Sequence, residues 1–126
     1  MEQNIKFQTK QFDLEERVTV FSGNLITFCK ALIITVTSKP LIDQLLRSGT
    51  SIGANYMEAN ACNSRKDFIN KVTIARKESK ETLYWLRLLS VQFPDKKDPL
   101  RILWKEAHEL SLILGGILKS SKAKLA

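Results

Sequence analysis

Apolar residues return along this chain at alternating steps of three and four, and short polar or proline-marked breaks divide the pattern into four long segments. That period is what helices with one buried face show. The first predicted helix covers about residues 13–37, opened by D-L-E-E at Asp13, with Leu14, Val18, Phe21, Leu25, Phe28, Leu32 and Val36 as its seam. Asp13 is expected to cap it, three residues ahead of Glu16, and the acidic side chains suit the positive end of a helix. A strand is the competing reading for ALIITVT, because residues 33–37 are β-branched throughout. The second helix is predicted over about 39–61, beginning at Ser38 or Lys39 with Pro40 at the first helical position, where a missing N–H does no harm. Ser64 in S-R-K-D caps a third helix over about 65–92, whose stripe is Phe68, Val72, Ala75, Ser79, Leu83, Leu86 and Leu89. FPDKKDP breaks the chain, and Asp98 and Pro99 open a fourth helix over about 98–119, before a Ser/Lys-rich end expected to fray. Short connections between long helices make neighbours antiparallel, so the predicted fold is all-α, an antiparallel up-down-up-down four-helix bundle.

One stretch of the second helix breaks the usual preferences. RSGTSIGANYMEANA places Ser48, Gly49, Thr50, Ser51 and Gly53 inside a helix, where each glycine costs roughly 1 kcal/mol against alanine. On a helical wheel the core side carries Leu41, Leu45, Ile52, Tyr56 and Ala59, while Gln44, Arg47, Ser48, Ser51, Asn55, Glu58 and Cys62 share the other side. A solvated face usually carries long charged side chains; short hydroxyls and an amide point to close contact, against the third helix or a neighbouring subunit. The expected polar network comprises Arg47, Ser48, Ser51, Asn55, Glu58, Arg76 and Ser79, with an interhelical ion pair between Arg76 and Glu58 and, for Ser79, either a backbone carbonyl one turn back or a polar group of the second helix. Side chains that simply face water are the alternative.

The third helix is also apolar on a second side. Ile74, Trp85 and Leu88, accompanied by Glu78, Glu81 and Gln92, fall opposite its core stripe. Apolar residues on two faces imply a second burial, so these three are the candidate oligomer interface; a lone innocuous tryptophan is the competing explanation.

Composition narrows the class. The 126 residues suffice for one domain with its own core, here residues 1–126, and 44% hydrophobic with 26% charged residues is ordinary for a globular chain. No apolar run reaches the roughly 18 residues of a membrane span, and no signal peptide is evident at the start, so the expected location is cytoplasmic, without membrane contact. Cys29 and Cys62 read as packing thiols. The net charge is +7, and residues 64–126 carry fourteen basic and seven acidic side chains whereas residues 1–63 are balanced. Such asymmetry suits a polyanionic partner, with a merely solubilising face as the alternative.

Chemistry is sparse. His108 is the single histidine, which leaves a zinc or dinuclear carboxylate site short of ligands, and there is no Gly-rich phosphate loop or nucleophile motif. No metal or other cofactor and no catalytic residue is predicted. Glu58 among Arg47, Ser51 and Asn55 is explained by hydrogen bonding between helices.

The runs Q-L-L-R-S-G-T-S-I-G-A-N-Y-M-E, from Gln44 to Glu58, and F-I-N-K-V-T-I-A-R-K-E-S-K-E-T-L-Y-W-L, from Phe68 to Leu86, resemble the bacterial four-helix-bundle proteins of the 23S rRNA intervening-sequence family. That family is related in turn to the accessory variability proteins of diversity-generating retroelements. Ser48, Ser51, Ile52, Asn55, Glu58, Ala75, Arg76 and Ser79 stand in the family's spacing; Ala59 departs from it, because many members have glycine there. The resemblance implies a homopentameric ring and, from the retroelement relatives, basic surfaces that engage nucleic acid and a reverse transcriptase.

The leading expectation is a basic, homo-oligomeric, non-enzymatic scaffold that binds RNA or DNA largely without sequence specificity. Its candidate contacts are Arg65, Lys66, Lys71, Lys77, Lys80 and Arg87 on the third helix, then Lys96, Lys97, Arg101 and Lys105. The alternative is an adaptor that recruits a protein partner such as a polymerase or reverse transcriptase, through Trp85 or Trp104.

Overall fold

The computed structural model describes residues 10–125, with side chains from residue 13 onward; the proposed extent 1–126 therefore includes residues that lie outside the described part. Four helices follow one another: α1 (Lys10–Lys30), α2 (Ser38–Asn60), α3 (Arg65–Gln92) and α4 (Lys97–Leu125), with a 3-10 turn at Pro94–Lys96 before α4. No strand occurs among the described residues. Each helix packs on its neighbour in sequence and α1 closes against α4, which makes the four-helix bundle.

The α1 boundary differs from the expected one. The helix already runs from Lys10, which puts Asp13 inside its first turn rather than at a cap. It ends at Lys30, with residues 31–37 forming a turn rather than further helical positions or a strand. Leu32 still reaches the core at 7% exposure, but Val36, the last residue of the expected seam, is 92% exposed. The physical cause is a strong start signal for α2. The Ser38 hydroxyl accepts from the Thr35 N–H at 2.7 Å while the Thr35 hydroxyl accepts from the Ser38 N–H at 3.1 Å. These reciprocal bonds close the turn that leads into the helix, while Thr37 at the N-cap makes no side-chain capping bond. The fully buried Ser38 hydroxyl also donates to the Ile33 carbonyl at 2.7 Å, so the turn satisfies its own polar groups.

At the start of α3 the Ser64 hydroxyl accepts from the Asp67 N–H at 3.1 Å, the N-cap that S-R-K-D implies. At the other end of the chain α4 continues past residue 119 to Leu125, so the Ser/Lys-rich segment is helical rather than frayed. Ser121 is buried there, and Lys122 and Lys124 in the last turn complement the negative end of the helix.

Phe21, Leu25, Leu45, Ile52, Leu86, Leu89, Leu110 and Leu114 lie in the centre with almost no exposure. Each such side chain contributes about 1.5–3 kcal/mol on burial. Two α2 glycines set how closely α1 approaches. A Cβ on residue 49 would collide with Leu25 Cδ1, and one on residue 53 would stand 3.3 Å from Val18 Cγ2. The small-residue stripe therefore admits α1, whereas the sequence had pointed to α3 or another subunit.

Candidate functional site

The polar residues of α2 divide into two groups. Ser51 donates to the Arg47 carbonyl at 2.6 Å and Asn55 to the Ser51 carbonyl at 2.8 Å, so both are satisfied within their own helix. Ser48 instead looks across the bundle: it is fully buried, and Thr82 of α3 donates to its hydroxyl at 2.9 Å. Ser79 donates to the Arg76 carbonyl at 2.6 Å, so of its two expected partners it takes the backbone one and not a polar group of α2.

The anticipated pairing of Arg76 with Glu58 does not form, and the single network is replaced by separate ion pairs. Glu58 takes Lys71 at 2.7 Å, and this hydrogen bond holds the ammonium above its ordinary range. Arg47 reaches Glu78 at 3.3 Å and also pairs with Glu81, while its Nε donates to Gln44 at 3.0 Å. Arg76 sits elsewhere, against α4. A Cβ on Gly115 would lie 3.3 Å from Arg76 Nε, 3.4 Å from Cζ and 3.5 Å from Nη2, and among the described residues the buried Nε has no hydrogen-bond acceptor. The missing side chain at Gly115 makes room for the guanidinium.

This pairing sorts the charges of α3. Its carboxylates Glu78 and Glu81 are engaged by Arg47, whereas Arg65, Lys66, Lys77, Lys80 and Arg87 are exposed and make no ion pair among the described residues. At about 100° per residue these five cations fall within an arc of roughly 120° that contains no carboxylate. Tyr84 shares that arc at 55% exposure, one turn from both Lys80 and Arg87. Its position is legible from the i, i+4 spacing to Lys80, yet a reading by charge singles out only the cations. Lys71 belongs to a different side, tied to Glu58.

On α4, Lys97, Arg101 and Lys105 are exposed on successive turns, and Lys96 is half-buried in the preceding 3-10 turn. Arg101 approaches Asp98 at 3.6 Å, with both side chains largely in solvent. The two basic bands meet at a groove of about 370 Å³ between the end of α3 and the start of α4, lined by Leu86, Arg87, Ser90, Lys97, Leu100, Arg101 and Trp104. The Trp104 indole stacks on His108, with ring centres 5.1 Å apart and planes 16° from parallel. Positions 97, 101, 104 and 108 follow helical spacing, but the sequence alone does not join them to the end of α3.

The proposed interface residues have mixed surroundings. Trp85 and Leu88 are half-buried within the chain; Trp85 packs on the core and its Nε1 donates to Glu81 at 3.2 Å. Ile74 stands out at 39% exposure. Larger apolar exposure is found at Val91, Ile102 and Leu112, and at Ile33, Ile34 and Val36 in the α1–α2 turn.

Comparison with known proteins identifies the lineage. Residues 21–116 match the family model described as 23S rRNA-intervening sequence protein. The chain belongs to this family. The match includes the α2 and α3 runs that carried the resemblance. A similar solved structure is that of a protein with unknown function from the S23 ribosomal protein family of Bacteroides thetaiotaomicron, 35% identical, covering 88% of this chain and 99% of that one with a TM-score of 0.80. No curated protein matches the chain. No described helix is long and apolar enough to cross a membrane.

Proposed function

We propose that this family member is a non-enzymatic, homo-oligomeric scaffold that binds nucleic acid through its phosphates. The carrying observation is the outer face of α3, where five cations without an ion pair among the described residues share one carboxylate-free arc with Tyr84. Cations without protein partners have no ion pair to break when they take phosphate oxygens, and each such neutralisation releases condensed counterions. The resemblance to retroelement accessory variability proteins supports the same reading, as it supports a pentameric ring. A ring of +7 protomers multiplies the field that a polyanion meets.

The test is fluorescence anisotropy of labelled RNA and DNA against the protein over a range of salt, with sedimentation to give the mass of the free and bound species. A logarithm of affinity that falls linearly with log salt, on sequences of different composition alike, is the expected result. Absence of binding at low salt would remove the proposal.

A second reading, an adaptor for a protein partner such as a reverse transcriptase, is favoured by the apolar turn at Ile33, Ile34 and Val36, where exposures run from 58% to 92%. It predicts association that survives high salt and is lost when these three residues are made polar.

A further inference from the structure

The groove where the two basic bands meet differs from the open face of α3. Leu86, Leu100 and the Trp104 indole give it apolar walls, while Arg87, Lys97 and Arg101 bring three cations to its edge. No carboxylate lines it among the described residues. The acid that approaches its cations, Asp98, meets Arg101 at 3.6 Å across solvent, a pairing weak enough for a phosphate to displace. Its volume of about 370 Å³ is near the lower end of the roughly 300–1,000 Å³ typical of ligand pockets. That suits one compact unit with a flat apolar part and a strongly anionic part, and is small for a helix or an extended peptide. His108 stacked against Trp104 fixes the plane of the indole, so the aromatic wall is already in place.

We propose that this groove seats a single unstacked nucleotide of a nucleic-acid strand, with the base against Trp104 and the phosphate on Arg87, Lys97 and Arg101. The inference rests on the nucleic-acid reading above and adds to it a preference for single strands. A duplex offers phosphates but no free base face, whereas a single strand offers both. Every base has a π face, so the site reads strandedness and not sequence.

The experiment uses the full chain and follows tryptophan fluorescence and anisotropy with three probes: a single-stranded oligoribonucleotide, the same strand annealed to its complement, and adenosine monophosphate. Quenching by the single strand beyond that by the duplex is expected, and Trp104→Leu, which keeps apolar bulk, should remove it and weaken single-strand binding roughly tenfold, the size of one base–aromatic stack. Duplex binding should barely change. Arg101→Glu, at an exposed side chain that the fold does not need, should also weaken the single strand more than the duplex. If both variants bind single strands like the parent, the groove proposal is overturned while the phosphate-binding scaffold stands. If neither strand nor duplex binds at all, the scaffold reading falls and takes the groove with it. Quenching by adenosine monophosphate together with the single strand supports the site; quenching by the mononucleotide alone, without strand binding, would assign the groove to a free nucleotide and overturn the strand assignment.

Discussion

Leu25 of α1 occupies the space that a side chain on Gly49 of α2 would require. The two helices thus touch where one has no Cβ and the other a fully buried leucine. Gly49→Ala should destabilise the protein despite its better helix propensity. Overpacking costs about 1–3 kcal/mol, against a gain of up to roughly 1 kcal/mol from propensity. Gly23 and Gly116 have open space around them, so alanine there should stabilise by about 0.5–1 kcal/mol. Chemical denaturation of the three variants checks the order, and a stable Gly49→Ala variant would refute the close approach.

Ser48 and Thr82 form a direct hydroxyl contact between α2 and α3, with both residues fully buried. Removing either hydroxyl leaves the other with its backbone acceptor alone, Leu45 for Ser48 and Glu78 for Thr82. A double-mutant cycle of Ser48→Ala and Thr82→Val should show a coupling of about 0.5–1.5 kcal/mol. Additive single effects would mean that each hydroxyl relies on its own backbone acceptor, Leu45 for Ser48 and Glu78 for Thr82.

The two thiols should behave differently. Burial pushes the Cys29 thiol up to about 11, because the interior disfavours the thiolate. The folded state holds that proton more tightly, so this contribution to stability is complete below the unfolded value of 9.0 and declines as pH rises toward about 11. Denaturant midpoints measured at rising alkaline pH should fall less steeply for Cys29→Ala, relative to each protein at neutral pH, than for the parent. Native alkylation followed by mass spectrometry should find Cys62, which is half-exposed, modified well before Cys29.

Charge variants on α3 separate its two sides. Lys77→Glu and Lys80→Glu reverse cations of the carboxylate-free arc and should weaken RNA binding, lowering the salt slope by roughly one for each phosphate that is no longer neutralised. Lys71→Gln breaks the pair with Glu58 and should affect binding little. Equal losses of affinity for all three would place the nucleic acid elsewhere.

The bundle was legible because its helices carry their seams in sequence: Leu14, Val18, Phe21 and Leu25 point inward as their spacing requires. The end of α1 was not, because the β-branched residues 33–37 have helical spacing to Leu32 and only the Thr35–Ser38 reciprocity reveals the stop. Polar residues were harder for a related reason. Spacing shows which side of a helix a residue occupies but not which partner lies opposite, so Glu58 went to Lys71 and Arg76 to the gap at Gly115. The groove depends on where two helix ends converge, and no single segment of sequence encodes that.

The guanidinium of Arg17 grips α4 through Glu106 at 2.7 and 2.8 Å and Glu109 at 3.1 Å, and these hydrogen bonds, Glu106 foremost, hold it above its ordinary range. Of the four helices α1 is the most loosely packed, and its seam with α4 carries these ion pairs. Screening weakens such a clasp and leaves the leucine-filled interior untouched. Ionic strength should therefore act on this molecule like a latch on one stave of a barrel: amides of α1 exchange with solvent first and faster as salt is added, while α2, α3 and α4 keep the slow exchange of a three-helix remainder.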